Sequence, residues 1–256
     1  SYNTLALSKN KLVKGMYRRT FEQRLLQGAA VIHVLGDSEV AATKRWSGNT
    51  PVEKIPYGFV PTAAGANMQG TATFVVGYCG RIDMYTKGLD ALVAGFGKFC
   101  AAHPQSELRI IGDGADMSKL RAQIDMAGLQ QQVVLAGAQY GADKETMLRN
   151  CHVFAHPSRN EGLPAAILEA AAMGLPCLVT EATNTGDSVA RYECGVTIEQ
   201  TEAAQIADGL SKLHAAHAGG RMETLRRNAV RMIREEFNWQ TLTTRYQQMY
   251  AHAAGL

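Results

Sequence analysis

The sequence lacks several features that would point to other protein classes. No apolar run approaches the roughly 18 residues of a membrane-spanning helix, so we expect no transmembrane segment. There is no G-x-G-x-x-G fingerprint, and the triplet at 112–114 is better explained as a tight turn than as part of a dinucleotide site. There is no secretory signal peptide and the first residue is Ser rather than Met, so we expect a processed or excised piece of a longer protein. A dehydrogenase is the least favoured enzyme class.

Cysteine is sparse and follows no pairing pattern. The five cysteines are an odd number, never form a C-x-x-C pair, and mostly lie in or beside apolar runs. This distribution predicts reduced, buried thiols in a cytosolic protein. The seven histidines show no H-E-x-x-H or comparable spacing, so we expect no metal held by protein side chains.

Charge is limited as well. Charged residues make up 19% of the chain and the formal net charge is +3, too little to indicate a nucleic-acid partner without a concentrated basic patch. The basic residues of 1–28 face a single acid, Glu22, and alternate with Leu and Met, which predicts a basic amphipathic helix. Such a helix is either an ordinary solvated face or, over residues 9–24, a peripheral contact to an anionic membrane.

Short apolar runs alternate with helical patterns along most of the chain. Strands are expected at 30–35, 52–55, 73–79, 108–111, 132–136, 151–155 and 176–180. Helices are expected at 37–46, 88–101, 117–127, 142–150, 164–173, 202–216, 220–237 and 239–253. Because the strands are nearly continuous apolar runs, the pattern predicts an α/β fold with a Rossmann-like parallel sheet, helices on both faces and a helical C-terminus.

The most informative stretch is His156–Thr180. Pro164 suits the first turn of a helix, and the Ala, Leu and Glu residues that follow propagate one. Gly174 and Pro176 then end the helix near Met173.

This helix places two carboxylates at different depths. Glu161 and the Gly162 backbone lie just ahead of its start, and Glu169 lies farther along it. A helix N-terminus suits a phosphate or a cluster of sugar hydroxyls, and a deeper carboxylate suits a diol, so together they predict a nucleotide-sugar site. Either glutamate taken alone is better explained as an ordinary loop or solvated helix carboxylate.

Two motifs carry a family resemblance. Glu161 and Glu169, with seven residues between them, are similar to an E-x7-E signature, and Gly80–Gly88 (GRIDMYTKG) is similar to a GR-x5-KG element. In this order and spacing they resemble the retaining glycosyltransferases of the GT-B fold, in particular glycosyltransferase family 4. The resemblance covers nearly the whole chain.

The resemblance implies roles for individual residues. Arg81 and Lys87 would contact the donor diphosphate and stabilise it as it leaves, in place of a divalent metal. Glu169 would accept hydrogen bonds from the ribose hydroxyls. Glu161 would orient the donor sugar rather than act as a nucleophile. Gly162, Leu163 and Pro164 are expected to contact the sugar and phosphates of the donor nucleotide sugar. Gly137 and Gln139 are expected to contact its nucleobase. Asn184–Asp187 departs from the Gly-Gly and Glu that many relatives have nearby, which leaves the shape of that loop open.

The resemblance also implies a domain organisation. Residues 1–61 would be the end of an N-terminal, acceptor-side domain, 62–72 a linker and 73–237 the donor-binding domain. Residues 238–256 would form a helix that crosses back to the N-terminal part, with Trp239 as a packing anchor.

The implied activity is transfer of a hexose from a nucleoside diphosphate sugar, with UDP or GDP, to an acceptor hydroxyl with retention. The acceptor would be a sugar or a lipid-linked sugar, in bacterial surface polysaccharide, lipopolysaccharide or glycolipid synthesis. The setting would be the cytoplasm or the inner face of the membrane, and this fragment would be inactive or weakly active alone. Two alternatives stay open: a nucleotide-sugar-binding module without activity of its own, and a GT-B-type sugar-nucleotide epimerase, which would release free nucleotide.

Overall fold

The computed structural model describes residues 11–60 and 72–255, with side chains from Val13 onward in the first range. These residues form two compact units, one made by the chain up to Gly58 together with Phe237 onward, the other by Phe59–Glu236. Residues 1–10, and all of the expected linker 62–72 except residue 72, lie outside the described residues.

Helices and strands alternate along the chain. The helices are α1 (Lys11–Tyr17), α2 (Gln23–Gln27), α3 (Asp37–Lys44), α4 (Leu89–Ala102), α5 (Met117–Met126), α6 (Gly141–Arg149), α7 (Ala165–Ala172), α8 (Gly186–Arg191), α9 (Ala203–Ala218), α10 (Met222–Glu236) and α11 (Trp239–Ala254). The strands are β1 (Ile32–Val34), β2 (Val52–Lys54), β3 (Phe74–Cys79), β4 (Ser106–Ile111), β5 (Val133–Gly137), β6 (Val153–His156), β7 (Cys177–Thr180) and β8 (Gly195–Ile198). A π-helical turn, Arg18–Glu22, joins α1 to α2, and a 3₁₀ turn, Glu181–Thr183, follows β7.

The larger unit is built on a six-stranded parallel sheet with the order β5-β4-β3-β6-β7-β8. The chain enters at the centre with β3, moves outward to β5, returns to the centre with β6 and moves outward on the other side. The carboxyl ends of β3 and β6 therefore lie side by side where the strand order reverses, and open parallel sheets bind ligands at that point.

Helices cover this sheet through their apolar faces. On α4, Leu89, Leu92 and Phe96 recur at helical spacing and are completely buried. Gly95 lets α9 approach closely, because a Cβ there would lie 2.7 Å from the Cβ of Ile206. The predicted Rossmann-like parallel sheet with helices on both faces and a helical C-terminus is confirmed.

No helix or strand was predicted between residues 181 and 201, whereas the structure has α8 and the edge strand β8 there. β8 starts at Gly195, contains Thr197 and is mostly only partly buried, so it does not resemble the continuous apolar runs of the central strands. Gly195 is required by the neighbouring strand, because a Cβ there would lie 1.9 Å from the carbonyl oxygen of Cys177.

The smaller unit has a two-stranded parallel sheet, β1-β2, with α11 packed beside it. Its core consists of Ile55, Leu242 and Met249, which are 1–3% exposed. Arg245 of α11 donates to the carbonyl oxygen of Lys54 at 2.7 Å, which fixes the helix at the end of β2.

Helical structure runs through residues 11–27, the part of the predicted basic helix that is described. Apolar side chains on it are 59–75% exposed: Val13, Met16, Tyr17, Phe21 and Leu25. No helix within 11–60 or 72–255 is long and apolar enough to cross a bilayer. All five cysteines are free thiols, four of them buried, as predicted.

Candidate functional site

The candidate site lies where β3 and β6 end next to each other. The loop Gly80–Gly88 leaves β3 and carries Arg81 and Lys87, and the segment after β6 carries Glu161. This topology brings together Lys87 and Glu161, which are 74 positions apart in the sequence. Both sequence motifs therefore meet at the strand reversal.

The loop Gly80–Gly88 is pressed directly against the segment that follows β6. Gly88 has a φ of 68°, and a Cβ there would lie 2.1 Å from the carbonyl oxygen of Pro157. Within the loop, the Asp83 carboxylate accepts from the Thr86 backbone N–H at 2.9 Å. Only glycine fits the position of Gly88, and this contact sets the distance between the two loops.

Arg159 links the same two loops. Its guanidinium donates to both carboxylate oxygens of Asp90 at 2.7 and 2.9 Å and to the Tyr85 carbonyl at 2.8 Å. The guanidinium also lies 4.6 Å from the centroid of the Tyr85 ring. Because its donors serve protein groups in this bidentate arrangement, Arg159 is a structural residue and a poor candidate for phosphate binding.

Three hydrogen-bond donors converge on one oxygen of Glu161. Its Oε1 accepts hydrogen bonds from Ser158 Oγ at 2.9 Å and His156 Nε2 at 3.1 Å, and from the ammonium of Lys87. Oε2 has no protein partner in the described part of the chain. The side chains of Lys87 and Glu161 are 16% and 13% exposed. One carboxylate oxygen is thus fixed by three donors, and the other is available to a ligand.

The environment of Glu161 keeps it ionised. Burial raises its pKa, but the hydrogen bonds from His156 and Lys87 and the charge of Lys87 outweigh burial and lower the pKa from 4.5 to about 2. The pKa of His156 is lowered by burial, although its hydrogen bond to Glu161 acts in the opposite direction. A neutral imidazole beside an ionised carboxylate must carry its proton on Nε2 in order to donate.

His156 was not predicted as a site residue. It is 1% exposed and stacks on Tyr78, with ring centroids 5.3 Å apart and planes 10° apart. Burial raises the pKa of Tyr78, so its phenol stays protonated and donates to the Arg81 carbonyl at 3.1 Å. His156 therefore connects the Glu161 carboxylate to the start of the Arg81 loop. The available signal was its position as the last residue of an apolar strand that leads into the motif.

The loop that departs from the family pattern supports the backbone of Glu161. Asn184 has a φ of 56°, and its side-chain amide donates to the carbonyl oxygens of Gly162 at 2.6 Å and Glu161 at 3.1 Å. The Glu161 backbone N–H donates to the carbonyl of Ala182 at 3.2 Å. Leu163, which follows Gly162, is 6% exposed and anchors the turn. In this chain Asn184 fixes the turn ahead of α7.

The helix predicted from Pro164 to Met173 is observed as α7, Ala165–Ala172, with Pro164 as its N-cap. Glu169 lies on it and accepts a hydrogen bond from Lys144 Nζ at 2.7 Å. Lys144 belongs to α6 and was not predicted as a site residue. Both charges act on the Cys79 thiol, whose pKa is raised by burial, lowered by Lys144 and raised by Glu169. The pair joins α6, which follows the carboxyl end of β5, to α7, which follows the segment after β6, so it lies on the carboxyl side of the sheet.

The other predicted residues occupy more open positions. The Arg81 side chain is 69% exposed and lies 3.6 Å from the Asp83 carboxylate. Gly137 ends β5 with a φ of 70°, and Gln139 donates to the Ala136 carbonyl at 2.9 Å. Arg81 is thus free to reorient toward an anion, while Gly137 and Gln139 form a turn at the edge of the site.

The arrangement is suited to binding an anionic, hydroxyl-rich ligand. It combines two carboxylates, two lysines and an exposed arginine, next to the start of α7 after Glu161. Across the described ranges, no group of three or more His, Cys, Asp or Glu side chains is arranged to hold a metal ion.

Comparison with known proteins places this site in a family. The family model described as "Glycosyl transferases group 1" matches residues 67–232. The gpi3 subunit of the phosphatidylinositol N-acetylglucosaminyltransferase of Schizosaccharomyces pombe is 25% identical over 167 residues, which are 65% of this chain and 36% of that protein. The capsular polysaccharide biosynthesis glycosyltransferase CapM of Staphylococcus aureus is 26% identical over 177 residues, 69% of this chain and 46% of that protein.

Solved structures share the fold. A crystal structure of a Staphylococcus aureus TarM variant with fondaparinux, α-GlcNAc-glycerol and UDP superposes with a TM-score of 0.78 at 17% identity, over 90% of this chain and 46% of that one. The chain thus spans less than half the length of these relatives. Because the family model covers well over half of the chain, including both motifs, the protein belongs to the group 1 glycosyltransferases.

Proposed function

We propose that this chain is the donor-binding half of a retaining family 4 hexosyltransferase, which transfers a hexose from a nucleoside diphosphate sugar to an acceptor hydroxyl. The observation that carries the proposal is the ionised Glu161 carboxylate, fixed by Lys87, His156 and Ser158 in the strand-reversal crevice. The proposed domain boundaries are those of the family: residues 1–61, a linker at 62–72, 73–237 and 238–256.

The diphosphate would lie between Arg81 and the start of α7. Arg81 presents a planar fork on an exposed side chain, which suits phosphate oxygens, and the N-terminus of α7 adds backbone donors and partial positive charge. Lys87 uses one of its three N–H donors on Glu161 and keeps two for the phosphate. Positive charge placed in advance stabilises the departing diphosphate, a role that requires no divalent metal.

The donor sugar would lie against Glu161. Its Oε2 accepts from a sugar hydroxyl while Oε1 stays bound to protein donors, so the carboxylate is oriented before the ligand arrives. Glu161 orients the sugar and is not the nucleophile. The Lys87 ammonium and the His156 imidazole hold it in place as a stable carboxylate. His156 and Ser158 are positioning residues that act through Glu161.

The nucleoside would extend toward Glu169 and the turn after β5. Glu169 accepts hydrogen bonds from the ribose hydroxyls, and Gly137 and Gln139 border the nucleobase. The remaining wall of the site is formed by Gly162, Leu163 and Pro164. The UDP present in the TarM structure supports UDP as the nucleotide, with GDP as the other candidate.

The acceptor is a sugar or a lipid-linked sugar. CapM is named for capsular polysaccharide synthesis and the yeast relative for a phosphatidylinositol substrate, which supports a surface polysaccharide or glycolipid product. We place the enzyme in the cytoplasm at the inner face of the membrane. Residues 9–24 would contact anionic lipid there, since basic residues accompany the exposed Met16, Tyr17 and Phe21.

The direct test is calorimetric titration of the chain with UDP, GDP and ADP. One nucleotide is expected to bind, and Arg81→Ala and Glu169→Ala should each weaken it about tenfold, the value of one charge-assisted hydrogen bond. Lys98→Ala, an exposed lysine on α4, is the control and should leave affinity unchanged. Failure of all three nucleotides to bind would contradict the proposal.

A second candidate is a nucleotide-sugar-binding module without activity of its own. The smaller unit favours it, because its described part has a two-stranded sheet and only a small set of buried apolar side chains, a small base for an acceptor site. Glycoside formation that depends on an added acceptor would support the transferase. Nucleotide binding without turnover would support the binding module.

A further inference from the structure

Lys144, which forms an ion pair with Glu169, belongs to neither sequence motif. The two charged atoms of the pair are 2.7 Å apart, and the side chains are 25% and 23% exposed. Lys144 lies in the first turns of α6, directly after the turn that contains Gly137 and Gln139, and Glu169 lies on α7. The pair thus joins the expected base-binding turn to the expected ribose carboxylate.

The pair is poorly suited to a purely structural role. A single ion pair that is partly open to water contributes about 0–1 kcal/mol to stability, because screening and side-chain entropy offset the attraction. The two side chains are partly exposed, and Lys144 lies in the helix that follows the carboxyl end of β5, on the ligand side of the sheet. Opening or reshaping the pair therefore costs little.

A hydroxyl group is matched to such a pair. The O–H can donate to the carboxylate while the oxygen lone pairs accept from the ammonium, so one hydroxyl makes two charge-assisted hydrogen bonds. A carboxylate alone would accept from the O–H and leave the oxygen lone pairs of the hydroxyl without a partner. The 2.7 Å separation of Nζ and Oε2 lets both groups reach the same hydroxyl with small rotamer changes.

We propose that Lys144 is a ribose-specificity residue, which donates to a hydroxyl of the ribose diol while Glu169 accepts from that diol. The assignment rests on the proposed function, in which Glu169 faces the ribose. Lys144 would then distinguish ribonucleotides from nucleotides that lack the diol, beyond the discrimination that Glu169 supplies.

The experiment compares UDP and GDP with their 2′,3′-dideoxy forms by calorimetric titration of the full chain. The unmodified chain is expected to prefer the ribonucleotide by about 100-fold, and Lys144→Met should reduce that preference about tenfold, one charge-assisted hydrogen bond. Lys144→Arg keeps a donor and should retain most of the preference. Lys98→Met, on the exposed face of α4, is the matched control.

Two results would overturn the assignment while leaving the proposed function intact. Lys144→Met could weaken ribo and dideoxy nucleotides equally, which is the behaviour of a general phosphate attraction, or it could leave the preference unchanged. Absence of nucleotide binding to the unmodified chain would overturn the proposed function and this assignment together. Melting temperatures of the variants check that each one is folded.

Discussion

Two lysine–glutamate pairs border the same site and are built differently. In one, Glu161 is 13% exposed, and a single oxygen accepts from Lys87, His156 and Ser158. In the other, Glu169 is 23% exposed and has Lys144 as its only side-chain partner among the described residues. The two carboxylates of one motif thus differ in burial and in coordination.

The difference indicates two kinds of binding group. A carboxylate fixed by three donors cannot reorient without breaking several bonds, so it presents one oxygen in a set direction. A carboxylate held by one lysine at the surface exchanges its partner readily. We infer that Glu161 is preorganised for the sugar and that Glu169 rearranges when the nucleoside binds.

The largest expected effect comes from removing the two lysines in turn. Lys87→Met leaves a mostly buried carboxylate without its ammonium and should lower the free energy of unfolding by about 3 kcal/mol. Lys144→Met should lower it by about 0.5 kcal/mol, since that pair is partly solvated. Urea denaturation at neutral pH measures both. Equal losses would remove the distinction between the pairs.

The next effect is a pH dependence that belongs to Glu161. Its pKa is lowered in the folded state from 4.5 to about 2, so its stabilisation is complete above about pH 4.5 and is lost as the pH falls toward 2. The loss is expected to be on the order of 2 kcal/mol after allowing for solvent screening. Glu161→Gln removes the titrating group, and its unfolding free energy should therefore fall less steeply between pH 5 and pH 3. Parallel profiles for the two proteins would refute this cause.

A smaller effect separates sugar binding from nucleotide binding. Under the proposed function, His156 and Lys87 orient Glu161 toward the donor sugar, so His156→Gln should weaken binding of UDP-glucose or GDP-mannose about fivefold and leave binding of UDP or GDP unchanged. Titration of each nucleotide with and without its sugar gives the ratio. His252→Gln, on α11 of the other unit, serves as the control. A loss shared equally by both ligands would show that His156 acts on the whole site.

The smallest effect is expected from Ser158→Ala. Ser158 gives one of three hydrogen bonds to Glu161, and the two charged or polarised donors remain, so affinity for the nucleotide sugar should fall about threefold. Ser211→Ala, which removes a hydroxyl bonded to the Ala207 carbonyl on α9, is matched in chemistry and should have no effect. A drop of more than tenfold would mean that Ser158 touches the ligand directly.

Much of the fold followed from local pattern. Strands β3, β6 and β7 are buried along nearly their whole length, as at Phe74–Tyr78, so they appear in the sequence as continuous apolar runs. Pro164, Gly174 and Pro176 fixed the bounds of α7 to within a residue or two. β8 was missed because its four residues begin with Gly195 and are interrupted by Thr197, so they form no continuous apolar run.

The side-chain partnerships of the site did not follow from the sequence. Lys87 was predicted to face the diphosphate, and nothing local indicates that it also reaches Glu161, since the contact depends on the adjacency of β3 and β6. Lys144 on α6 contacts Glu169 on α7, and the two residues are 25 positions apart in the sequence. In the sequence, His156 is simply the last residue of an apolar strand, so it was not predicted as a site residue. Such contacts depend on tertiary geometry, which periodicity and spacing do not encode.

The measurement that tests the central claim most directly is a titration of Glu161→Gln and Glu169→Gln with UDP and UDP-glucose, and with GDP and GDP-mannose. Glu199→Gln, an exposed carboxylate outside the motif, is the control. We predict that Glu161→Gln weakens only the nucleotide sugar, about tenfold, and that Glu169→Gln weakens nucleotide and nucleotide sugar alike. Equal weakening of both ligands by Glu161→Gln, or unchanged affinity in Glu169→Gln, would contradict the assignment of the two carboxylates to sugar and ribose.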